Sequence, residues 1–519
     1  MDKRGKILWV DDEIDLLKPH ILFLEKKGYN VTPVNSGEDA LHQIKQHQFD
    51  LILLDEMMDG LDGLTTLKMI KEEHSSLPVI MITKNEEEWL MDEAIGAHIS
   101  NYLTKPVNPS QILLACKNVL ETEQIHSERA YKDYLQEFQK IGSDVMIADD
   151  IEDWYKINNK LIDWSITFDK FGEQGLKQIL EDQYLESNRS FTQFISSNYK
   201  NWMNSDDKPI FSPDIVKNTV KPILEDNNKV VLFVIDCLRM DQWKAMTELL
   251  FPYYTVETDQ YLSILPTATP YSRNAIFSGL YPYEIKKKYG QFWNEMSRDE
   301  TSMNRFEETF LKDQMKRLKL SDKSVNYFKV ITYNDGKKLE NRISDYKNTD
   351  LMAIVINFVD MLGHTRSESD VLKEMVPDES GYRKAVCSWF ENAWLLNVMK
   401  EISSWGHTVI ITSDHGTTRV NKPINVKADR QASTGVRYKH GRNLTVSGKT
   451  SLFIKNPTEF RLPKDDLTTN FVIAKDDNFF VYPNDYHRFV KRFQNSFQHG
   501  GISMEEMIVP VAILKGKRK

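Results

Sequence analysis

The chain has 519 residues, which at about 150 residues per domain suggests three domains. It is 40% hydrophobic and 28% charged with mean hydropathy −0.49, which excludes fibrous and disordered classes, and no apolar run reaches the ~20 residues of a membrane-spanning helix. A net charge of −9 argues against a DNA-coating surface, and three cysteines (Cys116, Cys237, Cys387) are too few and too scattered for a disulfide framework or a thiolate zinc site. The opening stretch MDKRGKILWVDDE turns acidic after one short apolar run, unlike a secretory signal, so a cytoplasmic protein is expected.

Residues 1–122 alternate between strand and helix patterns. Apolar runs at 6–10 (KILWV), 30–34, 51–54 (LILL), 79–82 (VIMI) and 101–103 predict five strands, with helix-period segments between them. This alternation predicts a doubly wound parallel sheet that gathers functional groups at its C-terminal edge. Over 123–225 strand signals vanish. Trp, Tyr, Leu and Ile recur at helical spacing, as in DWYKINNKLIDWSITFDKF, and predict a helical bundle that serves as a linker domain. Residues 204–213 and 224–228 read as loops. From 226 to 519 alternation returns, with β-branched runs at 229–236, 353–360 and 408–416 that predict buried strands of a second, larger parallel sheet.

Two groups of residues carry chemistry. In the first, Asp11 and Asp12 follow the first strand and Asp55 follows the third. Three carboxylates at one sheet edge repel one another, and a hard cation such as Mg2+ relieves that repulsion. Thr83 ends the fourth strand. Lys105 ends the fifth, before Pro106, where a cis peptide would aim the lysine. In the second group, Asp236, Asp360 and Asp414 each close an apolar strand. His364 lies one helical turn beyond Asp360, His415 follows Asp414, and His499 opens HGG near the C-terminus. Carboxylates and imidazoles in this mixture suit Zn2+ or Mn2+.

The first group resembles a response-regulator receiver domain. That resemblance implies Asp55 as phosphoacceptor, and Mg2+ on Asp11, Asp12, Asp55 and the Met57 carbonyl. It implies Thr83 and Lys105 as phosphoryl contacts and Tyr102 as the switch aromatic. The sequence departs from the family in placing Asp59, not proline, after Met58. The second group resembles the alkaline phosphatase superfamily. It implies one metal on Asp236, Asp414, His415 and the nucleophile, and another on Asp360, His364 and His499. In the phosphodiesterase branch a nucleophilic threonine precedes Gly-Leu-Tyr-Pro by ten residues. Thr269 has that spacing to Gly279-Leu280-Tyr281-Pro282, with Thr267 as the fallback. Two divalent cations and three aspartates leave one positive charge, which an ionised threonine cancels. Such a site suits a phosphodiester monoanion. Arg273, Asn274 and lysines 286–288 are candidates for holding the phosphate. The basic segment RYKHGRN, with Arg437, Lys439, His440 and Arg442, is a candidate for gripping the rest of an anionic substrate.

The whole architecture is similar to the PorX-like response regulators, whose output domain is of the PglZ type. The expected domains are a receiver (1–122), a helical linker (123–225) and an alkaline-phosphatase-like α/β domain (226–519). The resemblance implies a sensor histidine kinase similar to PorY, dimerisation on phosphorylation and two zinc ions per output domain. It further implies a phosphodiester or oligonucleotide substrate, an extracytoplasmic-function sigma factor and motor components of type IX secretion. The competing expectation is a catalytically silent metal-binding module that docks those proteins.

Overall fold

The structure is a computed structural model and describes residues 5–84, 99–171, 174–296, 304–427, 433, 435–446, 449–464, 466 and 468–517. It divides into two compact units, Met1–Asp133 and Tyr134–Lys519.

In the first unit the strands are β1 (Lys6–Val10), β2 (Asn30–Val34), β3 (Leu51–Asp55), β4 (Val79–Thr83) and β5 (Asn101–Thr104). All pair in parallel, in the order β2-β1-β3-β4-β5. Alternation of side chains along each strand builds two cores. Ile7, Trp9, Leu51 and Leu53 meet Ile21, Leu24, Ile112 and Ala115 on one face. On the other, Leu8, Val10, Ile52 and Leu54 meet Ala40, Ile44, Leu67 and Ile70. The helices start where short polar side chains cap them: Ser36 accepts from the Asp39 N–H, Asp62 from Thr65, and Asn108 forms a capping box with Gln111. The helical segment expected between β4 and β5 falls on 85–98, outside the described residues.

In the second unit, helices Ile151–Phe171 and Gln174–Trp202 bury the aromatic residues whose spacing predicted them; Trp154 stands edge-on to Phe191 with ring centroids 5.4 Å apart. These helices are not a free spacer. Asn188 donates to Glu505 at 2.9 Å, Thr192 to Asp476 at 2.9 Å, and Arg383 reaches Asp169 at 2.6 Å.

The main sheet contains β6 (Val230–Ile235), β7 (Tyr254–Leu262), β8 (Val325–Val330), β9 (Leu351–Ile356), β10 (Thr408–Thr412) and, last in the chain, β19 (Ile508–Gly516), in the order β7-β19-β10-β6-β9-β8. Five strands share one direction, and β19, antiparallel to both β10 and β7, corrects the all-parallel expectation. Between β10 and β19 lie β11 (Thr418–Val420), β12 (Lys422–Lys427), β13 (Tyr438–Gly441), β14 (Thr445–Val446), β15 (Ser451–Ile454), β16 (Asn470–Ala474), β17 (Asn478–Val481) and β18 (Ser496–Gln498). They form three small sheets, one of which pairs β11 with β18. The core under the main sheet joins Phe233, Ile354 and Val409 to Trp243, Phe390, Trp394 and Met399.

Candidate functional site

In the first unit the C-terminal ends of β1, β3 and β5 bring Asp11, Asp55 and Lys105 together. Lys105 Nζ lies 2.9 Å from Asp11 Oδ2 and 2.9 Å from Asp55 Oδ2. The Lys105–Pro106 peptide is cis. Asp11 and Asp55 are buried and Asp12 is exposed, and one oxygen of each lies within 4.8 Å of the others. Burial pushes the Asp55 carboxyl up to about 6, against the nearby lysine. Thr83 closes β4 buried, and its hydroxyl donates to Glu56. Tyr102 packs half-buried against the Leu54 face of the sheet, and the Met57 side chain is exposed.

In the second unit two parallel strands again run into aspartates, while the third aspartate, Asp360, expected to close its strand, sits in the helix that follows. Asp236 follows β6, Asp360 lies four residues after β9 on helix Phe358–Glu368, and Asp414 follows β10. Adjacent registers, Ile235 beside Ile356 and Val234 beside Thr412, force the three carboxylates to one edge. His364 joins Asp360 from one turn along the same helix, with Nε2 3.2 Å from Asp360 Oδ1. His499 arrives from the end of β18, with Nε2 3.6 Å from the same oxygen. Two donor sets result, Asp236–Asp414–His415 and Asp360–His364–His499, each with its ligand atoms within 4.8 Å of one another.

Thr269 is the first residue of helix Thr269–Ser278. Its hydroxyl lies 3.4 Å from Asp236 Oδ1 and 3.1 Å from His415 Nε2. Thr267 points elsewhere: buried, it donates to the Gly501 carbonyl at 2.7 Å and accepts from the Gly500 N–H at 3.2 Å, clamping the turn that carries His499. Gly500 needs glycine for its φ of 110°. A Cβ on Gly501 would lie 2.2 Å from the Arg437 guanidinium.

The electrostatics fit divalent cations. Burial and the neighbouring Asp414 carboxylate raise Asp236 to about 8, and burial raises Asp414 to about 6. Burial also lowers both His415 and His499, keeping the imidazoles neutral as metal ligation requires. Asp414 Oδ2 is buried with no hydrogen-bond partner among the described residues, an orphaned acceptor that a cation would satisfy. The two sets offer carboxylate and imidazole donors suited to divalent cations.

Several expected substrate contacts turn out to be structural. Arg273 is only 2% exposed; Nη1 donates to Asp236 Oδ2 at 2.6 Å and Nε to Glu307 Oε1 at 2.5 Å, so it braces a carboxylate from behind. Asn274 is buried and donates to the Pro270 carbonyl inside its own helix. Arg437 is fully buried, paired with Glu506 at 2.5 Å. Lys439 is buried on the Ser433 carbonyl, whereas Arg442 stays largely exposed in a surface pair with Asp466. The acidic partners Glu506 and Asp466 lie elsewhere in the sequence, so the run by itself reads as free to grip an anion. His440 is half-buried, stacked on Phe471 and 3.5 Å from the Tyr271 hydroxyl.

Two residues escaped the sequence reading. Asn304 donates to the Thr269 carbonyl at 3.2 Å, though it stands 35 positions away. Cys237 places its sulfur 3.2 Å from Asp360 Oδ1. Neither carries a motif of its own.

Comparisons with known proteins match three stretches of the chain. Residues 7–117 match the family model of the response regulator receiver domain, 124–203 that of the PorX response regulator linker domain, and 215–514 that of the BREX system PglZ alkaline phosphatase-like domain. Among curated relatives, the alkaline phosphatase synthesis regulator PhoP of Bacillus subtilis is 31% identical over 29% of this chain and 64% of its own. ResD of the same organism is 34% identical over 22% of this chain and 48% of its own. The chain thus spans less than two thirds of these relatives. The receiver domain of NtrX from Brucella abortus is 31% identical, covering 22% of this chain and 98% of that one, with a TM-score of 0.22. No helix among the described residues is long and apolar enough to cross a membrane. With the PglZ model matching more than half of its length, the chain belongs to the PglZ alkaline phosphatase-like family, in the PorX-like arrangement of receiver, linker and output domain.

Proposed function

We propose that this protein is a two-component regulator that acts as a metal-dependent phosphodiesterase, with Thr269 as nucleophile. One observation carries the reading: the Thr269 hydroxyl lies 3.4 Å from Asp236 and 3.1 Å from His415, at the start of a helix whose dipole favours an anion. Asp236, Asp414 and His415 would hold one zinc ion, and Asp360, His364 and His499 a second. Bound cations supply Lewis-acid stabilisation of the phosphoryl oxygens and ease ionisation of a nearby hydroxyl. Thr269 Oγ then attacks phosphorus in line, the ester oxygen departs, and water hydrolyses the phosphothreonine. Arg273 holds Asp236 in position, and Thr267 holds the turn bearing His499.

The balance of two cations against three carboxylates suits a monoanionic diester, and short linear or cyclic oligonucleotides are the substrates proposed. In the receiver, Asp55 would accept a phosphoryl group from a PorY-like histidine kinase, with Mg2+ on Asp11, Asp12, Asp55 and the Met57 carbonyl. Thr83 and Lys105 would contact the phosphoryl group, and Tyr102 would report the switch. Phosphorylation drives homodimerisation in the cytoplasm and regulates type IX secretion, with a sigma factor and motor proteins as further partners.

The test is hydrolysis of bis-p-nitrophenyl phosphate by zinc-loaded protein, with p-nitrophenyl phosphate as the monoester control. Turnover of the diester that Thr269→Ala abolishes and Thr269→Ser partly restores is the expected result. Absence of turnover in the wild type, with Asp55 phosphorylated, would overturn the catalytic reading.

A further inference from the structure

A basic helix borders the open side of the centre. Asp236, Asp414 and His415 are buried, whereas the His364 side chain is 55% exposed, so a substrate enters from the His364 end. Asp360, His364 and Glu368 recur every four residues on helix Phe358–Glu368 and share one face, with Glu368 about 12 Å of helix rise beyond Asp360. There Arg492 Nη2 meets Glu368 Oε1 at 2.9 Å. Arg492 belongs to helix Tyr486–Phe493, which packs against helix Phe358–Glu368. Arg366 Nη1 donates to the Asn495 carbonyl at 2.7 Å and pins the segment that leads from the basic helix to His499.

The period of YHRFVKRF divides this helix in two. Tyr486, Phe489, Val490 and Phe493 pack on Val420, Phe479 and Val481. His487, Arg488, Lys491 and Arg492 stand on the opposite, exposed face. Arg488 and Lys491 have no acidic partner among the described residues. The sequence holds no Asp or Glu between Asp485 and Glu505, in a chain whose net charge is −9.

We propose that the Arg488–Lys491–Arg492 face binds the phosphate backbone of an oligonucleotide strand, holding the nucleotides beyond the scissile diester. The proposal deepens the phosphodiesterase reading above and rests on it. Cations one helical turn apart match the repeating charge of a polyanionic chain. A polyanion whose own links are diester monoanions also fits the adjoining centre, which favours a nucleic acid strand. Lysine and arginine contacts to phosphate position such a strand without reading its sequence. The opposing reading is the solvated face of an amphipathic helix, with no ligand of its own.

The test is fluorescence anisotropy of end-labelled hexathymidylate on full-length, zinc-loaded Thr269→Ala protein, where binding is measured apart from cleavage. Adding Arg488→Gln and Lys491→Gln should weaken hexamer binding roughly tenfold at low salt. It should also flatten the slope of log Kd against log salt by about 1.4, at ~0.7 per lost phosphate contact. A labelled dinucleotide, too short to reach the helix from the centre, should lose far less. Both side chains are exposed and glutamine keeps helix propensity, so the double variant folds. Hexamer affinity untouched by the substitutions, or lost equally for the dinucleotide, would overturn the proposal. Equal competition by poly-aspartate or by phosphatidylserine vesicles would also overturn it and reassign the face to a protein or a membrane. The two readings fail separately. A hexamer held through this helix by a wild type that cleaves no diester sinks the catalytic reading and leaves the backbone site. Diester turnover without the hexamer effect sinks the backbone site alone.

Discussion

Arg273 has the residue type of a substrate clamp and the environment of a strut. Its guanidinium bridges Asp236 and Glu307, and the Tyr327 hydroxyl also donates to Glu307. Burial would raise the Glu307 carboxyl, but Arg273 beside it holds it below the usual range. Arg273→Met therefore leaves buried charge uncompensated, at a cost of about 3–5 kcal/mol in urea unfolding. Pairing it with Glu307→Leu should recover part of that loss, because the orphaned charge goes too. A result within ~0.5 kcal/mol for the single variant would contradict the bracing role.

At the scale of elements, one ionic cluster ties the helical segment to the output core. Arg239 forks onto Asp241 at 2.9 and 3.1 Å, and Arg383 spans Asp241 at 2.5 Å and Asp169 at 2.6 Å. This links helix Ile151–Phe171 to helices Met240–Thr247 and Glu379–Asn392. Arg383→Met should destabilise by about 3–5 kcal/mol and speed amide exchange in helix Ile151–Phe171. The cluster also sets a pH dependence. Burial pushes Asp241 up, but Arg239 and Arg383 outweigh it and hold the carboxyl below its ordinary value. A group depressed in the folded state stabilises above its unfolded pKa, about 3.9, and that stabilisation drains as pH falls through the folded value. The stability gap between wild type and Asp241→Asn should hold constant from neutrality to about pH 5 and narrow below about pH 4. A gap unchanged at low pH would show that the variant acts through packing instead.

For the molecule as a whole, the two units carry separate polar sites, each at the C-terminal edge of its own parallel strands. In the first, Asp55 is buried and held by Lys105. Phosphorylation there adds a dianion whose oxygens compete for that lysine. Treatment with a small-molecule phosphodonor such as acetyl phosphate should raise the sedimentation coefficient from monomer to dimer, and Asp55→Asn should abolish the change. An unshifted wild type, shown by mass to be phosphorylated, would defeat phosphorylation-linked dimerisation.

The sequence by itself determined the five strands of the first sheet and three of the second, β6, β9 and β10. Apolar periodicity is local, and each strand's pattern is complete within about six residues. It also determined which aspartates would meet, because parallel strands in one sheet present their C-terminal ends together. Only the tertiary structure decided which threonine faces the carboxylates: Thr267 and Thr269 are two positions apart, and the start of one helix sends them to different partners. Arg273 and Arg437 likewise depended on Glu307 and Glu506, which stand 34 and 69 residues away. Cys237 depended on a left-handed backbone turn that no local pattern announces. The reversal of β19 escaped as well, because strand direction is set by pairing with β10, not by composition. Local periodicity records which side chains avoid water, whereas charge pairing, backbone reversal and hydroxyl orientation are settled only by what the distant chain places alongside.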